Sequence, residues 1–122
     1  MADLEFPART LKPYAEPIAQ DRLVEGSVYF SVIYFDRDGL IPVITTWVYI
    51  GMRLDADDTE DLSYFQDVES YRRGVRYEPT EINRDSATFK STSNLNCFFD
   101  YEPALNELLK CQLRRTKDEE SR

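Results

Sequence analysis

The sequence predicts an α+β domain: an antiparallel β-meander of about five or six strands with one C-terminal helix packed on a face. Three observations carry this. Residues 27–51 hold two runs dense in β-branched and aromatic residues on either side of a turn cluster. Shorter runs of the same composition follow as far as residue 99, and the apolar spacing then becomes helical. The 122 residues suit a single domain, residues 1–122, able to bury roughly two-thirds of its unfolded surface.

Residues 1–26 contain Pro7, Pro13 and Pro17 and show neither helical nor strand periodicity. They read as an extended segment wrapping an edge or the second face of the sheet, because Leu4, Phe6, Leu11, Tyr14 and Ile18 need cover. Ser27–Phe35 and Ile41–Gly51 read as a long hairpin. The Asp36-Arg37-Asp38-Gly39 cluster forms its turn, with the glycine supplying positive φ, and Pro42 fits a strand start or an edge. Both alternating faces of the first strand are apolar: Val28, Phe30, Val32 and Tyr34 on one, Tyr29, Ile33 and Phe35 on the other. A sheet in an ordinary two-layer domain has one polar face, so something must cover each side.

A third strand is expected at about 62–71, the alternative being a one- or two-turn helix within 55–66, since both periodicities fit so short a window. Arg72-Arg73-Gly74 reads as a turn into Val75–Tyr77, and Glu78–Asp85 as a loop. Ser86–Lys90 and Leu95–Phe99 read as short strands, either separated by a turn at Ser91–Asn94 or joined as one bent strand. Asp100 suits an N-cap, followed by Glu102 and Pro103 in a first turn. Ala104, Leu105, Leu108, Leu109, Cys111 and Leu113 form a broad apolar stripe over a helix at 100–115. Residues 116–122 are expected to fray.

Composition narrows the function. With 23 acidic against 15 basic residues the net charge is -8, which disfavours a phosphate-backbone binder, so no nucleic-acid partner is expected. The chain has no histidine, which removes every His-based triad, metal site and proton shuttle. Its start, Met-Ala-Asp-Leu-Glu, lacks a basic-apolar leader, and no 18-residue apolar run occurs. The expectation is a cytoplasmic protein with no membrane partner. Cys97 and Cys111 then read as buried thiols rather than a disulfide. Four dispersed glycines make no phosphate loop, and no Gly-x-Ser-x-Gly elbow or Cys-x-x-Cys pair exists.

Residues 55–69 carry seven acids and no basic residue. An EF-hand register fails there: from Asp55 the glycine position is Glu60 and the bidentate-glutamate position is Gln66. The run reads as a solvated loop, and no metal or other cofactor is expected. Paired carboxylates such as Asp67 and Glu69 could serve acid–base chemistry, yet nothing marks them as buried, so no catalytic residue is assigned. Tyr71-Arg72-Arg73-Gly74-Val75-Arg76-Tyr77 is the one basic departure. Its arginines could hold an anion or stack on bases, or simply offset the acidic run and lean on the two tyrosines.

Two functional expectations follow. The leading one is a non-catalytic protein acting by protein contact, self-associating as a homodimer through the aromatic hairpin, with Tyr29, Ile33, Phe35 and Trp47 in the interface. The other is a small-molecule binder or minor enzyme with a pocket in the curved sheet. There Arg72, Arg73 or Arg76 would anchor an anion, and Tyr49, Tyr64 or Tyr71 would form the wall.

Overall fold

The computed structural model describes residues 2–5, 7, 10–79 and 87–121. Its elements are β1 (Val28–Tyr34), β2 (Pro42–Met52), β3 (Ser63–Asp67), α1 (Val68–Arg72), β4 (Phe89–Thr92), β5 (Phe98–Phe99) and α2 (Tyr101–Glu120). The fold is α+β: the five strands form one antiparallel sheet in the order β4-β3-β2-β1-β5, and α2 is the one long helix. The β1–β2 hairpin is the axis of the sheet, pairing from Val28↔Val48 to Tyr34↔Pro42.

Side chains alternate across a strand, so the doubly apolar hairpin needs two covers. On one face α2 lies along β1, and Val32 and Phe99 pack beneath Ala104 with Phe30 and Tyr34 alongside. On the other face Tyr29, Trp47, Tyr49, Phe65 and Phe98 form the larger core, closed by Ile18, Leu23, Leu95 and Cys97. Residues 12–26 reach both faces by passing round the β5 edge. The Lys12 N–H donates to Asn106 Oδ1 on α2 (3.1 Å), Ala15 enters the helix-side core, and the Ile18 N–H donates to the Phe98 carbonyl (2.9 Å). A 3₁₀ turn at Gln20–Arg22 then carries the chain to Gly26, whose N–H donates to the Tyr49 carbonyl (2.8 Å).

Several boundaries depart from the sequence reading. The strand expected at 62–71 ends at Asp67, where the chain turns into α1, and residues 55–58 form a turn rather than a helix. Asp67 is the cause: its carboxylate accepts the Ser70 N–H (2.9 Å) and the Thr88 N–H (2.8 Å), capping a helix where a strand would continue. Val75–Tyr77 is irregular, covering Gln66 and Tyr64 instead of pairing. Ser91 and Thr92 belong to β4 and not to the turn after it, and the last strand is only Phe98–Phe99. Ser86 and residues 80–85 of the expected loop lie outside the described residues. Asp100 does cap α2, its carboxylate accepting the Tyr101 N–H. The helix does not fray at 116 but continues to Glu120, because Arg114 and Arg115 tie that end to the hairpin turn.

Candidate functional site

The hairpin divides into two halves. Its inner half, Tyr29, Val32, Trp47, Val48 and Tyr49, is buried. Its outer half is not: on the face away from α2, Ile33, Phe35, Ile41 and Val43 are 50%, 82%, 49% and 40% exposed. These four share a face because Ile33 pairs with Val43, and Phe35 donates its N–H to the Ile41 carbonyl two positions on. Ile44, paired with Val32 and therefore on the helix face, is also exposed at 45%. The cover that Ile18 and Leu23 give the inner half stops short of this end.

The outer half is nevertheless held firmly. Asp36 accepts the N–H groups of Leu40 (3.0 Å) and Ile41 (2.8 Å), closing the turn. Partial burial works to raise its carboxyl, but these N–H bonds, with Arg114 nearby, hold it below the ordinary carboxylate range. Gly39 takes φ +71°, and a Cβ there would lie 3.2 Å from Arg114 Nε. From α2, Arg114 Nε donates to the Gly39 carbonyl (3.0 Å) and Arg115 to the Leu40 carbonyl (2.7 Å). Beneath them the Tyr34 hydroxyl donates to Glu107, which also lies 3.6 Å from the Arg114 guanidinium. Burial first, and the Glu107 carboxylate second, push the Tyr34 phenol up to about 12. The Arg114 guanidinium sits 4.9 Å from the Tyr34 ring centroid, completing a helix-to-hairpin clamp.

The residues singled out from sequence separate accordingly. Of the four expected in an interface, Ile33 and Phe35 are exposed, while Tyr29 and Trp47 are core residues. Trp47 Nε1 donates to Ser31 Oγ (3.0 Å) in the buried interior. Of the expected ligand residues, Tyr49 and Tyr64 are buried. Tyr64 donates to Asp58 (2.7 Å), and burial and that carboxylate raise its phenol. Arg76 lies 4.0 Å over the Tyr71 ring and donates to the Tyr71 and Val75 carbonyls, a local structural use. Arg72 and Arg73 are exposed, share an open depression of about 550 Å3 with Val68 and Glu69, and make no ion pair among the described residues. The six are thus not convergent on one pocket. The second sheet face, where the alternative reading placed a pocket, is filled by Ile18, Leu23, Leu95 and Cys97.

Sequence reasoning missed three groups. Ile41 and Val43 extend the exposed patch, and alternation from Ile33 and Phe35 across the turn could have found them. On α2, Tyr101, Leu105, Leu109 and Leu113 recur every fourth residue on one flank and are exposed, whereas Ala104 and Cys111 point to the sheet. Reading 104–113 as one stripe merged these two flanks. The Tyr34–Glu107–Arg114 clamp joins residues too distant in sequence to leave a signal. The acidic run is consumed locally: Asp57 donates its N–H to Asp55 Oδ1 (3.0 Å), and Arg53 pairs with Asp61 (3.1 Å). Among the described residues no acid or cysteine group could hold a metal ion, both cysteines are free thiols, and no helix is long and apolar enough to cross a membrane. Compared with protein-family models, curated proteins and solved structures, the chain matches none.

Proposed function

We propose that this protein acts by protein contact, without catalysis, and that it self-associates through the outer half of the β1–β2 hairpin. One observation carries the reading: Ile33, Phe35, Ile41 and Val43 form a contiguous exposed apolar face on an element held rigid from behind by α2. Scattered exposed apolar residues need no explanation, but a contiguous patch on a fixed element marks an interaction surface. A two-fold contact is the economical form, since the same patch then serves both partners. Four side chains are a fraction of the roughly 800 Å² per partner buried in a stable interface, so the contact is weak and concentration-dependent. The anion-pocket alternative has less support, because Tyr49 and Tyr64 are buried and Arg76 is engaged with Tyr71. Sedimentation velocity over a micromolar series tests the proposal. The wild-type coefficient should rise with concentration and that of Phe35→Ser should stay flat. A wild-type protein that remains monomeric throughout defeats self-association.

A further inference from the structure

The hairpin's outer half also leaves main chain open. The Tyr49 N–H donates to the Ser27 carbonyl, and the Phe35 N–H to the Ile41 carbonyl. Odd-numbered residues of β2 therefore turn their backbone groups toward β1, and Pro42, Ile44 and Thr46 turn theirs the other way. On that other side β3 meets β2 only from Trp47 onward. Among the described residues, Pro42–Thr46 has no strand on the side away from β1, and the Ile44 N–H and carbonyl point into the gap. A free edge flanked by exposed apolar side chains is ready for strand addition.

The shape of the gap limits its occupant. It is a notch, open toward the hairpin turn and closed by Asp67, which sits opposite Trp47, and by Val68 as the chain enters α1. A second copy laying its own β2 antiparallel around Ile44 would drive its hairpin turn into Asp67. A chain that ends at the closed end meets no such obstacle. Beyond that end Val68 lines the 550 Å3 depression it shares with Arg72 and Arg73, two exposed cations without an ion pair among the described residues, in a protein of net charge -8. We infer that the notch receives the C-terminal segment of a partner protein. Its last residues add as a strand parallel to β2, apolar on alternate positions, and its terminal carboxylate meets Arg72 and Arg73. This rests on the reading of the hairpin as a protein-contact surface. It differs from self-association in using the β2 edge rather than the face that bears Phe35.

The probe is a soluble hexapeptide alternating threonine and valine with a free C-terminus, titrated against the isotope-labelled protein and followed by amide shifts and hydrogen exchange. Binding should slow exchange at the Ile44 amide. It should be lost when alternate peptide nitrogens are methylated, which removes main-chain donors and keeps the side chains. Capping the peptide as an amide, or the double substitution Arg72→Ala with Arg73→Ala, should each weaken binding at least tenfold, and the two together no further. Ile44→Pro deletes the outward N–H at an edge position that tolerates proline and should abolish binding, while Ile44→Thr should retain it. A circular-dichroism spectrum matching wild type certifies that the proline variant is folded. Absence of peptide binding, binding that survives methylation, or unchanged exchange at Ile44 overturns the inference. The concentration dependence of sedimentation reports on the Phe35 face independently, so either reading can fail alone.

Discussion

Replacing Tyr34 with Phe removes one oxygen from the clamp that fixes the hairpin turn to α2. The lost bond runs from the phenol to the Glu107 carboxylate. Hydrogen bonds to an ionised partner contribute about 1.5–3 kcal/mol. Glu107 keeps Arg114 at 3.6 Å and Lys110 at 3.8 Å, so the deletion leaves no bare buried charge. The site is also partly open to water, which places the cost near ~1–2 kcal/mol. With a urea m-value of about 1–3 kcal/mol per molar, the unfolding midpoint should fall by roughly 0.3–2 M. Alkaline pH gives a second reading. The folded phenol, near 12, lies above its unfolded value near 10. The stability it contributes is therefore complete below about pH 10 and is lost as pH rises through about 12. Tyr34→Phe should reduce that alkaline loss, and Glu107→Gln should lower the phenol's titration while leaving it raised, because burial is the larger cause. A cycle of Tyr34→Phe and Glu107→Gln should show coupling of about 1 kcal/mol. A Tyr34→Phe midpoint equal to wild type, with no coupling to Glu107, would refute the clamp.

Three further perturbations have determinate signs. Gly51 takes φ +136° at the irregularity in β2, and a Cβ there would lie 2.9 Å from Glu25 Oε1 and 3.0 Å from Leu54 Cδ2. Gly51→Ala should cost about 1–3 kcal/mol in urea unfolding. Burial works to raise the Asp67 carboxyl, but Ser70 and the Thr88 N–H lower it on balance. Its contribution is present above the unfolded value near 4 and lost as pH falls through the depressed folded value, so Asp67→Ala should lower the midpoint at pH 7 and flatten its acid dependence. Phe65 is fully buried and stacks on Phe98 at 4.4 Å. Phe65→Ala should remove about 3–5 kcal/mol, which thermal melting would show as a large fall in Tm.

What the sequence made legible followed how local each signal was. The hairpin was readable because strand composition, turn chemistry and the position of Pro42 all agree within 25 residues. Asp100 was readable for the same reason, since a cap and its first turn are contiguous. The Asp67 cap was hidden inside a run whose apolar residues fit either period, and besides the local Ser70 N–H it is the Thr88 N–H, 21 positions on, that fixes the carboxylate in place. The length of α2 was obscured because Arg114 and Arg115 are positioned by carbonyls at Gly39 and Leu40, some 75 residues earlier. For the candidate site, the apolar double face was visible, but not which half of it was already covered. That depended on how far residues 15–23 reach across the sheet, and extended segments without periodicity carry no record of their path.

The unequal halves of the hairpin imply that folding and contact are separable. Tyr29 and Trp47 belong to the core, so altering them tests stability first: Trp47 is buried and bonded to Ser31, and its truncation removes both packing and a satisfied donor. Phe35 is 82% exposed, and the turn beside it is secured by Asp36, Arg114 and Arg115 through polar contacts that do not involve its ring. Its side chain is therefore surplus to the fold. Phe35→Ser should shift stability by no more than about 0.5 kcal/mol, as exposed substitutions do. If the hairpin face is a contact surface, the same variant should lose the concentration-dependent rise in sedimentation coefficient. Unfolding in urea and sedimentation of one purified variant decide the matter together. A stable variant that still associates removes Phe35 from the interface, and a strongly destabilised one shows that the ring supports the fold in a way its exposure conceals.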